Sequence, residues 1–406
     1  MSAYTRYAAV ALLTALAVGC TGPHPVPRPA SRPTPEPTAG RAHAGAPVTK
    51  AAGRRPFTLV AAGDVRPSDP AVLATARRDA SHGGYDYRPM LKGVQPVISA
   101  ADLALCHLDA PLGPLAGPFT GSPVLQAPPQ IATALKATGY DSCATASHHA
   151  LDRGVPGVHR TLEALDTVGL RHTGSARDAA EAARPALLRA PGGARVAQLA
   201  YTYGIGGGRR PAYAPWTVNR LDAKRIIEDA RAARRAGADV VVVSPYWGTE
   251  YRTAPDARQI RLARTLTASE TGGRPDIDLI VGTRAHTPQP YEKVNGTWVV
   301  YGLGDQLSGV RKKAGGNWGS IARFRFAPPH RPGERWRVTM AEYLPQLVEQ
   351  GKRVRVRNLA RVGGHDRTGK TAGKKISKES SEEIGKEISK AVLSRGAAGD
   401  GLAMGW

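Results

Sequence analysis

Cysteine is scarce in this chain of 406 residues. Its three copies, Cys20, Cys106 and Cys143, never reach the paired spacing of a zinc site, which excludes a metal-stapled small domain. Carboxylates are short as well: 33 Asp and Glu stand against 56 Lys and Arg, giving a formal charge of +23 and a pI of about 10.3. Such a surplus attracts anionic partners. Nucleic acid is not the expected one, because no platform of interleaved aromatic and basic residues occurs and the N-terminus argues for export.

That N-terminus lacks an apolar run long enough to span a bilayer as an ordinary helix. "MSAYTRYAAVALLTALAVGC" has a lone Arg6, an apolar stretch from Ala8 to Val18, then small residues before Cys20, which is the plan of a signal peptide. Its ending "AVGC" resembles a bacterial lipobox with Ala17 in the key position. Residues 1–20 are therefore expected to be a signal peptide whose Cys20 is lipidated, anchoring the protein at the outer face of the cell membrane. Plain secretion, with cleavage near Gly19, is the alternative. Residues 21–55 are rich in Pro, Ala and Arg without apolar period and read as a disordered tether. Residues 363–406 are polar and mixed in charge and read as an unfolded tail, although Ile376, Ile384, Ile388 and Val392 fall at helical spacing. The folded domain is then 56–362. In an exported protein Cys106 and Cys143, both in apolar strand-like runs, form either a disulfide or two buried thiols on neighbouring strands.

Within that domain, apolar runs bounded by turns alternate with helical patterns. "FTLVAAGD", "DLALCHLD", "YDSCATAS", "ARVAQLAYTYG", "ADVVVVSPYWG", "DIDLIVGT" and "GTWVVYGLGD" are strand-like, and runs such as "DVVVVS" suit strands covered on both faces. Helical periodicity marks 220–237 and 256–273, the latter opening on the N-cap Asp256. The alternation predicts an α/β fold with helices on both sides of a sheet, closed by an antiparallel hairpin near residues 320–348.

Nearly every predicted strand ends in a polar or titratable group. Asp64, His107 and Asp109, His148 and His149, Tyr246 to Glu250, His286 and Asp305 follow successive strands. Singly, such residues are more often caps or satisfied polar groups. Their recurrence at the carboxyl ends of strands points to one shared cleft.

The order of these strand ends resembles the CapA-like, poly-gamma-glutamate capsule synthesis protein family, a branch of the calcineurin-like metallophosphoesterase fold. "AAGDV" at 61–65, "HLDAPLGP" at 107–114, "ASHHALDRGVPGVHRTLEALDTVGLRHTGSA" at 146–176, "VVVSPYWGTEY" at 241–251 and "LIVGTRAHTPQPYEKVNGTWVVYGLGDQ" at 279–306 carry the resemblance. It implies a layered α/β/β/α sandwich with mixed sheets. It further implies a divalent metal (Mn, Fe, Zn or Mg) held by Asp64, Asp109, His148, His286 and Asp305. His149 and Glu250 become the catalytic candidates, with Trp247 and Gln289 at the substrate.

Departures accompany the resemblance. Ser147 and His148 stand where the family has two asparagines. Tyr246 and Thr283 replace histidines, Ala285 a proline and Asp305 an asparagine. The donors that remain suit one ion better than two. Two functions are therefore expected. One is a metal-dependent hydrolase of phosphoester or amide-like bonds in an anionic envelope polymer. The other is a non-catalytic protein that binds or exports that polymer, with Arg209 and Arg210 in the glycine-rich 204–213 loop as contacts. Proteins of the resembled family also work beside a membrane polymer synthase.

Overall fold

The computed structural model describes residues 55–206, 209–309, 313, 315–331, 334–361 and 378–405. The expected signal peptide, Cys20 and all of the tether except Arg55 lie outside these residues, as does Ile376. Strands β1 (Phe57–Val65), β2 (Leu103–Leu108), β3 (Ser142–Ala144) and β4 (Arg171–Thr173) come first. They are followed by β5 (Ala186–Arg189), β6 (Arg195–Thr202) and β7 (Val240–Tyr246), then a short hairpin of β8 (Glu270–Thr271) and β9 (Arg274–Pro275). Next are β10 (Leu279–Val281), β11 (Tyr291–Val294), β12 (Thr297–Val300) and β13 (Asp305–Leu307). The series closes with β14 (Trp318–Ala327), β15 (Arg337–Glu349), β16 (Arg355–Asn358) and β17 (Leu402–Met404).

These strands form two large mixed sheets rather than the one that the apolar runs suggest. The first has the order β16-β15-β14-β1-β2-β3-β4, with β13 on β1 and β17 on β15; the second runs β11-β12-β10-β7-β6-β5. Strands β1 to β4 pair in parallel, and β14 with β15 is the expected antiparallel hairpin.

Period-two alternation along each strand sets the layers. Val60 and Ala62 of β1 pack with Val72 of α1 (Pro70–Asp79) and with Ile131 and Leu135 further along the chain. Their neighbours Leu59 and Ala61 face the other way, onto Val240, Val242, Leu279 and Val300 of the second sheet. On that sheet's far face Val241 and Val243 meet Ile226 and Ala230 of α2 (Ala223–Arg235) and Ala263 and Leu266 of α3 (Ala257–Thr267). The order is helix, sheet, sheet, helix: the α/β/β/α sandwich. Cys106 and Cys143, at paired positions of β2 and β3, form a disulfide.

One expectation is corrected. Residues 378–405 are not an unfolded tail: they form α4 (Lys378–Leu393) and β17, within the same structural unit as the domain. Ile388 and Val392 are fully buried in the inter-sheet cluster, with Ile384 packed beside them. Intrinsic propensity alone leaves such a helix marginal; an apolar stripe with a sheet to bury against does not. Among the described residues no helix is long and apolar enough to cross a membrane.

Candidate functional site

Both sheets deliver their strand ends to the same place. Parallel pairing of β1 with β13 sets Asp64 opposite Asp305, and pairing with β2 sets it opposite His107. Gly63 makes this approach feasible, since a Cβ there would collide with the carbonyl of Gly304, which accepts the Asp64 N–H at 3.0 Å. From the second sheet, the segment after β10 bends in with Arg284 and His286 at positive φ, 88° and 52°. Non-glycine residues adopt that region at a cost, and such strain concentrates at functional sites.

At the centre, Asp64, His286 and Asp305 form a fully buried group whose potential ligand atoms all lie within 4.8 Å of one another. His286 Nδ1 is 2.8 Å from Asp305 Oδ1 and 3.3 Å from Asp64 Oδ2. Asp64 Oδ1 lies 2.7 Å from His107 Nδ1, and its Oδ2 accepts the Arg284 N–H at 2.9 Å. Burial alone would raise the Asp64 carboxyl, but hydrogen bonds and charge from His107 and His286 hold it well below the usual range. Burial would lower His286, and the charges of Asp305 and Asp64 outweigh it, pushing the imidazole up to about 10. A proton on His286 therefore sits among oxygens that suit a cation. The donor set of one imidazole and two carboxylates fits a divalent Mn, Fe, Zn or Mg ion.

Asp109 and His148 stand apart from this group. Asp109 Oδ2 accepts a hydrogen bond from Arg66 Nη1 at 2.5 Å and from the Tyr246 hydroxyl at 3.3 Å. Tyr246, read from the sequence as a lost ligand, also lies 2.7 Å from His148 Nδ1 and stacks on His107. Its one hydroxyl proton goes to Asp109, so its oxygen accepts the Nδ1–H of a neutral His148. Burial pushes the His148 imidazole down to about 4, despite the pull of Asp109. An unfolded His148 takes up its proton near pH 6.5 while the folded one stays neutral to about pH 4. Its contribution to stability is thus complete above pH 6.5 and is lost as pH falls through that window. Urea unfolding at pH 7 and 4.5 should show this loss, and His148→Gln should reduce it.

His149 makes a different pair. Its Nδ1 lies 2.7 Å from Asp152 Oδ2, which is itself fixed by the Leu125 N–H at 2.7 Å. Its ring centroid is 3.8 Å from that of His148. The carboxylate fixes the tautomer and leaves Nε2 for proton transfer. Glu250 has a partly exposed side chain 3.6 Å from Arg284 Nη2, and Arg284 in turn lies over the Tyr203 ring at 4.0 Å.

Two substrate-binding expectations are corrected. Trp247 is buried in the second sheet's outer core and donates through Nε1 to Tyr301 O at 2.8 Å. Gln289 is buried too, bonded to Gln259 and to the Arg252 carbonyl. Both are shaped by packing, with no surface for a substrate. Arg209 and Arg210 are exposed, on a loop held beside His148 through the bond from Gly206 N–H to His148 O at 2.7 Å. Sequence reasoning missed Arg66, Asp152, Arg284 and the pairing of His107 with Asp64. Arg66 was findable, two residues past Asp64 and so on the same face of an extended strand.

The family model of bacterial capsule synthesis protein PGA_cap matches residues 58–310. The PGA biosynthesis protein CapA of Bacillus subtilis is 32% identical over 171 residues, 42% of this chain and 43% of that protein. The capsule biosynthesis protein CapA of Bacillus anthracis is 26% identical over 184 residues, 45% of this chain and 43% of that one. The chain thus spans less than half the length of these relatives. Among solved structures, the calcineurin-like phosphoesterase YfkN of Bacillus subtilis superposes with a TM-score of 0.43 at 13% identity, covering 84% of this chain and 98% of that one. With well over half its length matched by the family model, and the strand ends assembled as described, the chain belongs to the bacterial capsule synthesis protein family, PGA_cap.

Proposed function

We propose that the protein is exported, held at the outer face of the cell membrane through lipidated Cys20, and hydrolyses a bond in an anionic envelope polymer beside the polymer's membrane synthase. The observation that carries the reading is the buried group Asp64, His286 and Asp305, with an oriented imidazole, His149, linked to it through His148, Tyr246 and His107. A divalent cation held by the three would polarise the scissile group and lower the pKa of bound water. The chain's own residues do the rest. His149, steadied by Asp152, donates a proton to the departing group. Arg284 and the exposed Arg209 and Arg210 draw the polyanion in. Chelator-treated protein is expected to lose hydrolysis of poly-gamma-glutamate or of a phosphodiester panel, and to regain it with added Mn²⁺. Full turnover without any cation overturns the reading.

A second reading, a non-catalytic polyanion-binding or assembly protein, is favoured by the Arg66 guanidinium on Asp109 and by the charge of +23. It predicts binding of polyglutamate that weakens with salt and survives both chelation and Asp64→Asn.

A further inference from the structure

Arg66 is an unusual neighbour for a cation site. Its side chain is buried, its backbone N–H is tied to Leu307 O at 2.8 Å, and Nη1 grips Asp109 Oδ2. Nε faces Asp69 Oδ1 at 3.6 Å. A guanidinium stays charged at any physiological pH, so Asp109 is permanently neutralised by a side chain. The one further oxygen of Asp109, Oδ1, is buried without a hydrogen-bond partner. His148, the other donor on this side, is closed at Nδ1 by Tyr246. A second ion placed here would lie against a fixed positive charge.

We infer that the Arg66 guanidinium stands in for a second metal ion, so that the centre takes up a single divalent cation, at Asp64, His286 and Asp305. This rests on reading those three residues as a cation site, and the two claims fail differently. Titration of metal-free protein with Mn²⁺, followed by calorimetry and by electron paramagnetic resonance, should give one equivalent and an uncoupled single-ion spectrum. Two equivalents, or a spectrum of two coupled ions, overturns the inference and leaves the cation site standing. Arg66→His, which frees Asp109 and adds a neutral donor, should take up a second equivalent. A folded Arg66→His protein that still binds one overturns the inference. Should that variant fail to fold, the wild-type count and spectrum decide. No bound cation in the wild type overturns both the cation site and the inference.

Discussion

Asp64→Ala should abolish cation binding and lower the stability of the metal-free protein by about 3–5 kcal/mol, the usual cost of removing one partner from a buried charge network. Asp64 is fully buried and holds His107, His286 and the Arg284 N–H at once, drawing both sheets onto one carboxylate. Without it two imidazoles remain buried with Asp305 as the carboxylate against His286. They can shed their protons, and this gives the effect a pH signature. The folded His286 titrates near 10 against an ordinary 6.5, so the stability from its charged form is complete below pH 6.5 and is lost as pH rises through about 10. The Asp64 carboxylate contributes fully above its ordinary value of 3.8. The deficit of Asp64→Ala, read from urea midpoints, should therefore be largest between about pH 4 and 6.5 and should shrink towards pH 10. A pH-independent deficit would mean that lost packing, rather than lost charge, destabilises the variant. Cation affinity of the wild type should strengthen across the same alkaline range, because a ligating imidazole must first give up its proton.

Much of this architecture was legible in the residues. Apolar runs marked β1, β2, β6 and β7, period-two alternation marked the β14–β15 hairpin, and "GDV", "HLDAP" and "SHHALD" marked the strand ends that converge. The division into two sheets came from the family resemblance and not from the apolar runs, because a strand buried against a facing sheet and one buried against helices have the same apolar composition. Only the contacts separate Leu59 from Val60. The C-terminal helix was half visible: Ile384, Ile388 and Val392 gave the stripe, while the sheet that stabilises it lies far away in sequence. At the site, motif matching found residue types but not orientation. Trp247 and Gln289 occupy motif positions and point into packed interior, whereas Tyr246, a departure from the motif, became the hinge between His148 and Asp109. Arg66 was passed over because it draws its meaning from a partner brought near by the fold, whereas Asp152 lies only three residues from the His149 it orients and was within reach of the sequence. For Arg66 that partner is 43 residues away.

His149→Ala should lower turnover by about a hundred- to ten-thousand-fold, the range for loss of a positioned general acid. Cation content should be unchanged, because His149 lies outside the group of Asp64, His286 and Asp305. The size of the loss should depend on the leaving group. A substrate expelling an alkoxide or amine needs the proton and should suffer the full reduction, while one expelling a nitrophenolate leaves without help and should suffer little. Asp152→Asn should fall between wild type and His149→Ala on the demanding substrate, since the amide still meets Nδ1 but no longer balances a charged ring. Equal losses on both kinds of substrate would assign His149 to positioning rather than protonation. The pairing at 2.7 Å between Nδ1 and Asp152 argues for protonation, because it occupies one ring nitrogen and frees the other. Neutral His148 cannot replace it: a ring pushed down to about 4 holds almost no second proton at pH 7 to donate. Of two adjacent imidazoles, therefore, only the one backed by a carboxylate is equipped as the acid, and steady-state rates on the paired substrates will show whether it serves as one.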